Sequence, residues 1–409
     1  MRTALTELLG VQHPIVGFNR SPGVVAAVTN AGGFGVLAAS GYTPEELDAQ
    51  LAWIEGQVEG KPYGIDLLVP GKFADGDPEN LVASLRAQIP PEHLAFVNDL
   101  LARYGIPEAS LRGEADEIAA SLNPAGALAR LDAAFSHRIS LIANALGTPP
   151  PDLVTRAKAA GVVVAALVGQ ASHAVRQLDA GVDLLIAQGT EAGGHTGTIA
   201  TMVLTPEIVD IAGGHPVLAA GGIASGAQMA AALALGAAGV WCGSVWLASE
   251  EDVAVQAVKD KFLKAASIET VRSRTRTGKP ARQLRSAWHD AWEEPGSPAP
   301  LALPLQPMLV NEAWYRIDKA AQAGHEGALE LESFFIGQVV GSFQEVRPAG
   351  EITRQLAADC EQRIAELARL LPAPAPASTV PASTVPASTV PASTAPASTV
   401  PASTVPAST

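Results

Sequence analysis

Between Ile15 and Cys242 the chain passes through eight strand-sized apolar segments, most of them followed by a stretch with helical spacing. The strands are expected at Ile15–Phe18, Gly35–Ala39, Tyr63–Leu68, Ile139–Ala143, Val162–Leu167, Leu184–Ala187, Val217–Ala220 and Gly239–Cys242. Helices are expected at Pro22–Ala31, Pro44–Val58 behind a Thr43 N-cap, Asp152–Ala160, Ser172–Ala180, Pro206–Ala212 and Gly226–Leu235. Strands that are apolar without alternation are covered on both faces, as in a parallel sheet flanked by helices. Eight such βα units close into a barrel, so the chain reads as α/β class with a (β/α)8 TIM barrel. An open doubly wound sheet would carry a GxGxxG turn just after its first strand. Here Gly32-Gly33-Phe34-Gly35 precedes the second strand instead, which favours the barrel.

The rhythm breaks from about Pro70 to Ser136, where prolines and polar helical segments predict a helical insertion after strand three. Beyond the barrel, Ile352, Leu356, Cys360, Ile364 and Leu367 recur at helical spacing and predict a C-terminal helix. From Pro372 the chain repeats Val-Pro-Ala-Ser-Thr without a single charge. Proline at every fifth position blocks helix and sheet, and Ala, Ser and Thr offer little to bury, so a disordered tail follows. The expected regions are a barrel over residues 1–345 with an insertion near 70–136, a helix over 346–371, and a low-complexity tail over 372–409.

A composition that is 48% hydrophobic and 17% charged suits a compact enzyme with a large core, and a net charge of −14 argues against nucleic acid as a partner. The one basic cluster, Arg272, Arg274, Arg276, Lys279 and Arg282, reads as a solvated loop. Its functional alternative is a contact for an acidic substrate handle such as a coenzyme A phosphate. Cys242 and Cys360 lie far apart, with neither disulfide-scaffold nor metal-ligand spacing, and read as small buried hydrophobes; no metal is expected. With no apolar run of bilayer length and no signal-like N-terminus, a cytoplasmic protein that does not engage a membrane is expected.

Barrel enzymes place their chemistry on the loops that follow the strands. After strand six comes Gln188-Gly189-Thr190-Glu191-Ala192-Gly193-Gly194-His195-Thr196-Gly197. Its glycines let the backbone approach a flat ligand, and His195, the single imidazole on this loop, could take a proton or stabilise a developing anion near neutral pH. Strands seven and eight end at Ala220-Gly221-Gly222-Ile223 and Trp241-Cys242-Gly243-Ser244. Loops at those two positions commonly bind phosphate through backbone N–H groups, and the Ser244 hydroxyl adds a donor. A phosphate beside a glycine platform points to a flat phosphorylated cofactor.

These residues resemble the nitronate monooxygenase (2-nitropropane dioxygenase-like) family of FMN-dependent barrels. The likeness is carried by His13-Pro14-Ile15-Val16-Gly17, Asn30-Ala31-Gly32-Gly33-Phe34-Gly35, Tyr63-Gly64-Ile65-Asp66-Leu67, Gln188 through Gly197, Ala220 through Ile223 and Trp241 through Ser244. It implies FMN as cofactor and His195 as the catalytic residue that takes a proton from, or orients, the substrate carbon acid. It also implies flavin contacts from Gly17, Phe18 and Asn19, from Gln188, Gly193 and Gly194, and from Gly221, Gly222 and Trp241–Ser244. Asp66 stands where the family often has Asn, which would alter the electronics of the flavin pyrimidine. Trp241 replaces a side-chain amide with an indole. Arg20 stands where small residues are usual, either holding an anionic substrate group or capping the next helix.

The activity implied is oxidation of alkyl nitronates with O2 to carbonyl compounds and nitrite. The alternative is an FMN-dependent NAD(P)H reductase of an enoyl or acyl-CoA thioester or a quinone. A non-catalytic phosphate-binding barrel and a sugar-phosphate enzyme fit the phosphate loops less fully. Phe334–Gly341 reads as either a lid over the flavin or a packed terminal helix, and His13, His137, His173, His215, His289 and His325 read as structural or surface residues.

Overall fold

A computed structural model describes residues 1–39, 41–67, 83–108, 124–144 and 147–372. The chain separates into two units, Met1–Leu367 and Ala368–Thr409, and the architecture below is that of the first. Its centre is a closed barrel of eight parallel strands. These are β1 (Ile15–Asn19), β2 (Phe34–Ala38), β3 (Gly64–Asp66), β4 (Leu141–Asn144), β5 (Val163–Val168), β6 (Leu184–Gln188), β8 (Val217–Ala220) and β9 (Gly239–Cys242). They follow one another around the barrel in chain order, and β9 closes onto β1 through Val16↔Trp241 and Gly17↔Cys242. The expected barrel is thus the observed one, with strand ends shifted by about a residue or two.

Side chains alternate as strand geometry requires. Val16, Phe34, Val36, Leu141, Ala143, Ala165, Leu184, Ile186, Leu218 and Trp241 fill the barrel interior. Their neighbours Leu37, Ile65, Ile142, Val164 and Leu185 face the helices. Thr43 starts the helix Pro44–Val58 as expected: its hydroxyl accepts from Glu46 N–H at 3.2 Å, while the Glu46 carboxylate accepts from Thr43 N–H at 3.0 Å.

The helix expected at Pro206–Ala212 starts earlier and spans Thr201–Ile211, with Pro206 inside it. A second sheet was not expected: β7 (Gly194–His195) pairs with β11 (Ala281–Leu284), which pairs with β10 (Thr270–Ser273), all antiparallel. A separate apolar core lies outside the barrel. There Val97, Leu100 and Leu101 of the helix Pro91–Arg103 meet Trp288, Trp292, Val310, Trp314 and Ile317 from the helices Ala287–Glu293 and Leu305–Gln322. The ring centres of Trp288 and Trp314 are 4.9 Å apart. The helix Pro124–Phe135 instead lies in the barrel's outer layer, where Leu131 and Ala134 join the core beneath Leu47, Leu51 and Ile54. Near the end of the unit, the helix Ala349–Ala368 buries Thr353, Leu356, Ala357 and Cys360. The Val-Pro-Ala-Ser-Thr repeats from residue 373, and residues 68–82 and 109–123 of the expected insertion, lie outside the described residues.

Candidate active site

The loop after β6 is held by a carboxylate that also starts a helix. Glu191 accepts from the Thr201 backbone N–H through both oxygens, at 3.1 and 2.9 Å, and its Oε2 lies 3.0 Å from the Thr201 hydroxyl. The N-cap Ala200 has no side chain able to cap the helix Thr201–Ile211, so Glu191 satisfies its first donor from ten residues upstream. Gly193 is needed because a Cβ there would sit 2.8 Å from the backbone of Ile336. The segment after the second core therefore runs directly across this loop. Gln338 N–H donates to Glu191 O at 2.9 Å, and Gly337 N–H donates to Ser244 Oγ at 2.8 Å. Phe334–Gly341 does not form the packed terminal helix: it folds back over the His195 loop as an extended strap leading into a 3-10 helix, Gln338–Ser342.

His195 sits on β7, opposite Ala281 of β11. Its Nδ1 lies 3.3 Å from the Pro280 carbonyl, a partner that only accepts. That contact assigns the proton to Nδ1 and leaves the Nε2 lone pair free. Partial desolvation, together with the nearby Lys279 charge, pulls the imidazole pKa below its ordinary value, with the Pro280 bond opposing. His195 is neutral at pH 7 and competent to accept a proton. The Phe335 ring lies 6.4 Å from it, centre to centre.

The basic cluster is a solvated loop only in part: Arg274 and Lys279 are exposed, but the other arginines are not. Arg272 and Arg282 face each other across β10 and β11 and grip both ends of the His195 loop. Arg282 Nε donates to Thr190 O at 2.9 Å and Arg272 Nη2 to Thr196 O at 3.0 Å. Arg282 is buried, with its Nη1 3.0 Å from Thr270 Oγ1. Carbonyl acceptors on a neighbouring loop hold these guanidiniums where water would otherwise have done so.

The two glycine loops beside His195 hold a set of unspent donors. Gly221 and Gly222 have φ of 93° and 72°, the left-handed region where a side chain is disfavoured. A Cβ on Gly221 would also crowd Ala192 N at 3.0 Å. None of the N–H groups of Gly221, Gly222, Gly243 and Ser244 donates to a partner among the described residues, yet all four residues are only half-buried. Ser244 Oγ accepts from Gly337, so its own proton is still available. Four such amides, from adjacent strands of one barrel mouth, fit a phosphate.

The other expected flavin neighbours divide by strand parity. Phe18 and Trp241 face inward at the mouth and stack with ring centres 5.6 Å apart. Gln188, half-buried, ends β6 on the same side. Asp66 is buried at the top of β3, and burial alone pushes its carboxyl up to about 7. Gly17 points the other way, where a Cβ would meet Val28 at 2.8 Å, so only its backbone can serve a ligand. Asn19 is likewise committed outward: its Nδ2 donates to Asp252 Oδ2 at 2.9 Å, and its Oδ1 accepts from Ser21 N–H at 2.7 Å. The Cys242 thiol packs among the residues between strands and helices, and burial pushes it up to about 12. His289 is buried, its Nδ1 accepting from Ser286 N–H at 3.2 Å, a structural role.

A (β/α)8 barrel with an imidazole and a set of free amides on its strand-end loops has the layout of a barrel enzyme. Comparison with known proteins sets its kind. The sequence profile of the nitronate monooxygenase family matches residues 2–359, and the chain belongs to that family of flavin-dependent oxidoreductases. It is 52% identical to the Mycobacterium tuberculosis protein named "Putative monooxygenase Rv1533", over 91% of this chain and all of that one. It is 34% identical to the (3aS,4S,5R,7aS)-5-hydroxy-7a-methyl-1-oxo-octahydro-1H-indene-4-carboxyl-CoA dehydrogenase of Rhodococcus jostii, over 73% of this chain and 69% of the relative. Among solved structures, nitroalkane oxidase from Streptomyces ansochromogenes superposes with a TM-score of 0.71 at 27% identity, covering 89% of this chain and all of that chain. No helix among the described residues is long and apolar enough to cross a membrane.

Proposed function

We propose that this chain binds FMN at the barrel mouth and oxidises alkyl nitronates with O2 to carbonyl compounds and nitrite. The observation that carries the reading is the convergence of His195 with four unspent amides from the two adjoining loops. The amides of Gly221, Gly222, Gly243 and Ser244 would hold the phosphate. Gln188, Gly193, Gly194, Phe18 and the inward face of Trp241 would line the ring, and Asp66 would stand near its polar edge. The flavin, when bound, supplies the electron transfer between substrate and O2. The protein supplies the rest. The Nε2 lone pair of His195 would take the α-proton of a substrate arriving as the neutral nitroalkane, and the resulting imidazolium would donate to an oxygen of the nitronate so formed; the Pro280 carbonyl holds the imidazole in the tautomer that permits this. The strap Phe334–Gly337 and the stacked Phe18–Trp241 pair limit water around the reacting carbon.

A second reading is an FMN-dependent reductase using NADH or NADPH on an enoyl or acyl-CoA thioester or a quinone. The 34% identity to a carboxyl-CoA dehydrogenase supports it. Anaerobic titration of the FMN-loaded protein with propionate 3-nitronate, NADH and NADPH separates the two. Bleaching by the nitronate, with nitrite released once air is admitted, is the expected result. Bleaching by a nicotinamide while the nitronate leaves the flavin oxidised would replace the first reading with the second.

A further inference from the structure

The mouth carries a second group of charges that neither His195 nor the phosphate cradle uses. Arg276, in the turn between β10 and β11, has its guanidinium carbon 4.2 Å from the centre of the Trp314 ring and 5.0 Å from that of Phe335. One N–H donates to the Ser333 carbonyl at 2.9 Å. Its remaining donors have no partner among the described residues, and it forms no ion pair there. Phe335, whose ring Arg276 overlies, is the same ring that lies 6.4 Å from His195. Arg20 follows β1 at the same end of the barrel, with its guanidinium carbon 5.6 Å from the centre of the neighbouring Phe334 ring.

The carboxyls nearby do not cancel this charge. Asp318 and Glu332 hydrogen-bond to each other, and burial together with Asp318 pushes Glu332 up to about 9. Glu332 therefore keeps its proton at neutral pH, and the pair presents at most a single negative charge. Facing that one charge are Arg276 and Arg20, and also Lys261, whose ammonium donates to the Leu329 and Glu332 carbonyls. The wall of the mouth is left with an excess of positive charge on a guanidinium fixed by two rings. A planar guanidinium held in place offers two parallel N–H groups, the geometry that matches a carboxylate. A phosphate is better served by several converging amides, which the glycine loops already provide.

We propose that Arg276, assisted by Arg20, determines specificity at this mouth by holding the carboxylate of an organic-acid substrate whose reacting carbon lies at His195. The inference rests on the site assigned above but not on the reaction assigned to it. The Phe335 ring centre is 5.0 Å from the Arg276 guanidinium carbon and 6.4 Å from the His195 ring centre, so carboxylate and reacting carbon would belong to one short-chain acid.

The test is calorimetric titration of the full chain as purified, with flavin content measured in parallel, using succinate and its uncharged analogue succinamide. Succinate is expected to bind about tenfold or more tightly than succinamide, the usual worth of a charge-assisted pair. R276A should abolish that preference, R20A should weaken it, and R276K should restore only part of it, since an ammonium lacks the fork. Equal binding of the two probes to the unmodified protein overturns the proposal without relying on any variant, as does a preference that survives R276A in protein retaining its flavin. Displacement of succinate by adenosine 3′,5′-bisphosphate, with that ligand losing affinity in R276A as strongly, would reassign Arg276 to a phosphate handle and likewise overturn it. Because no step requires turnover, failure to oxidise nitronates would sink the proposed reaction and leave this result to be read separately.

Discussion

The two titratable groups that matter most have opposite fates. His195 is held neutral by desolvation and by Lys279, so the acid limb of kcat/KM should fall below the ordinary histidine pKa of about 6.5. Lys279→Gln should move that limb upward; a limb unmoved by the substitution would show that the titrating group is not His195. Asp66 is the reverse case. Its folded pKa of about 7 lies above the unfolded value of about 3.9, so the native state binds its proton more tightly. Stability is then greatest below the unfolded pKa and falls as pH rises through the folded one, by about 4 kcal/mol at most. Flavin-free Asp66→Asn protein should melt with the parent near pH 4 and above it near pH 8. Equal melting at both would mean the carboxylate is compensated. The strings that meet at this barrel mouth, the His195 loop and the glycine pairs, were legible as residues because each is local in the chain. Asn19 was not, because its partner Asp252 is remote in sequence and on the outer face.

At the scale of elements, the strands could be read because each is a short apolar run, and Pro44–Val58 because its cap lies within three residues. The start of Thr201–Ile211 escaped because its cap, Glu191, stands ten residues upstream behind a glycine loop. The sheet β7–β11–β10 escaped for a related reason: a two-residue strand has no periodicity, and its partner comes from beyond the barrel. Arg272 and Arg282 looked solvated only because charge is normally solvated; their carbonyl partners were invisible in the chain. Removing the Arg282 fork leaves the Thr190 carbonyl without its donor, a loss of about 1–3 kcal/mol. Arg282→Ala should accordingly raise amide exchange over residues 190–197 and lower kcat, while exchange in β1 and β2 stays as it was. Unchanged exchange in the loop would remove the arginine from any positioning role.

For the whole molecule, the barrel and the tryptophan core have different jobs. The barrel carries the four free amides proposed as the phosphate cradle, whereas the core around Trp288, Trp292 and Trp314 seats the ring that clamps Arg276 and leads into the strap at Phe335. Trp288 is fully buried, and truncation of such a side chain costs about 3–5 kcal/mol. Trp288→Ala should lower the first melting transition and weaken substrate binding while flavin affinity changes little; parallel loss of both would mean the two cores melt as one. Their separation has a practical side. Mild heating or a lesion in the tryptophan cluster would leave a yellow protein that still grips its cofactor but has forgotten which molecules to admit, so colour alone is a poor certificate that this enzyme is intact.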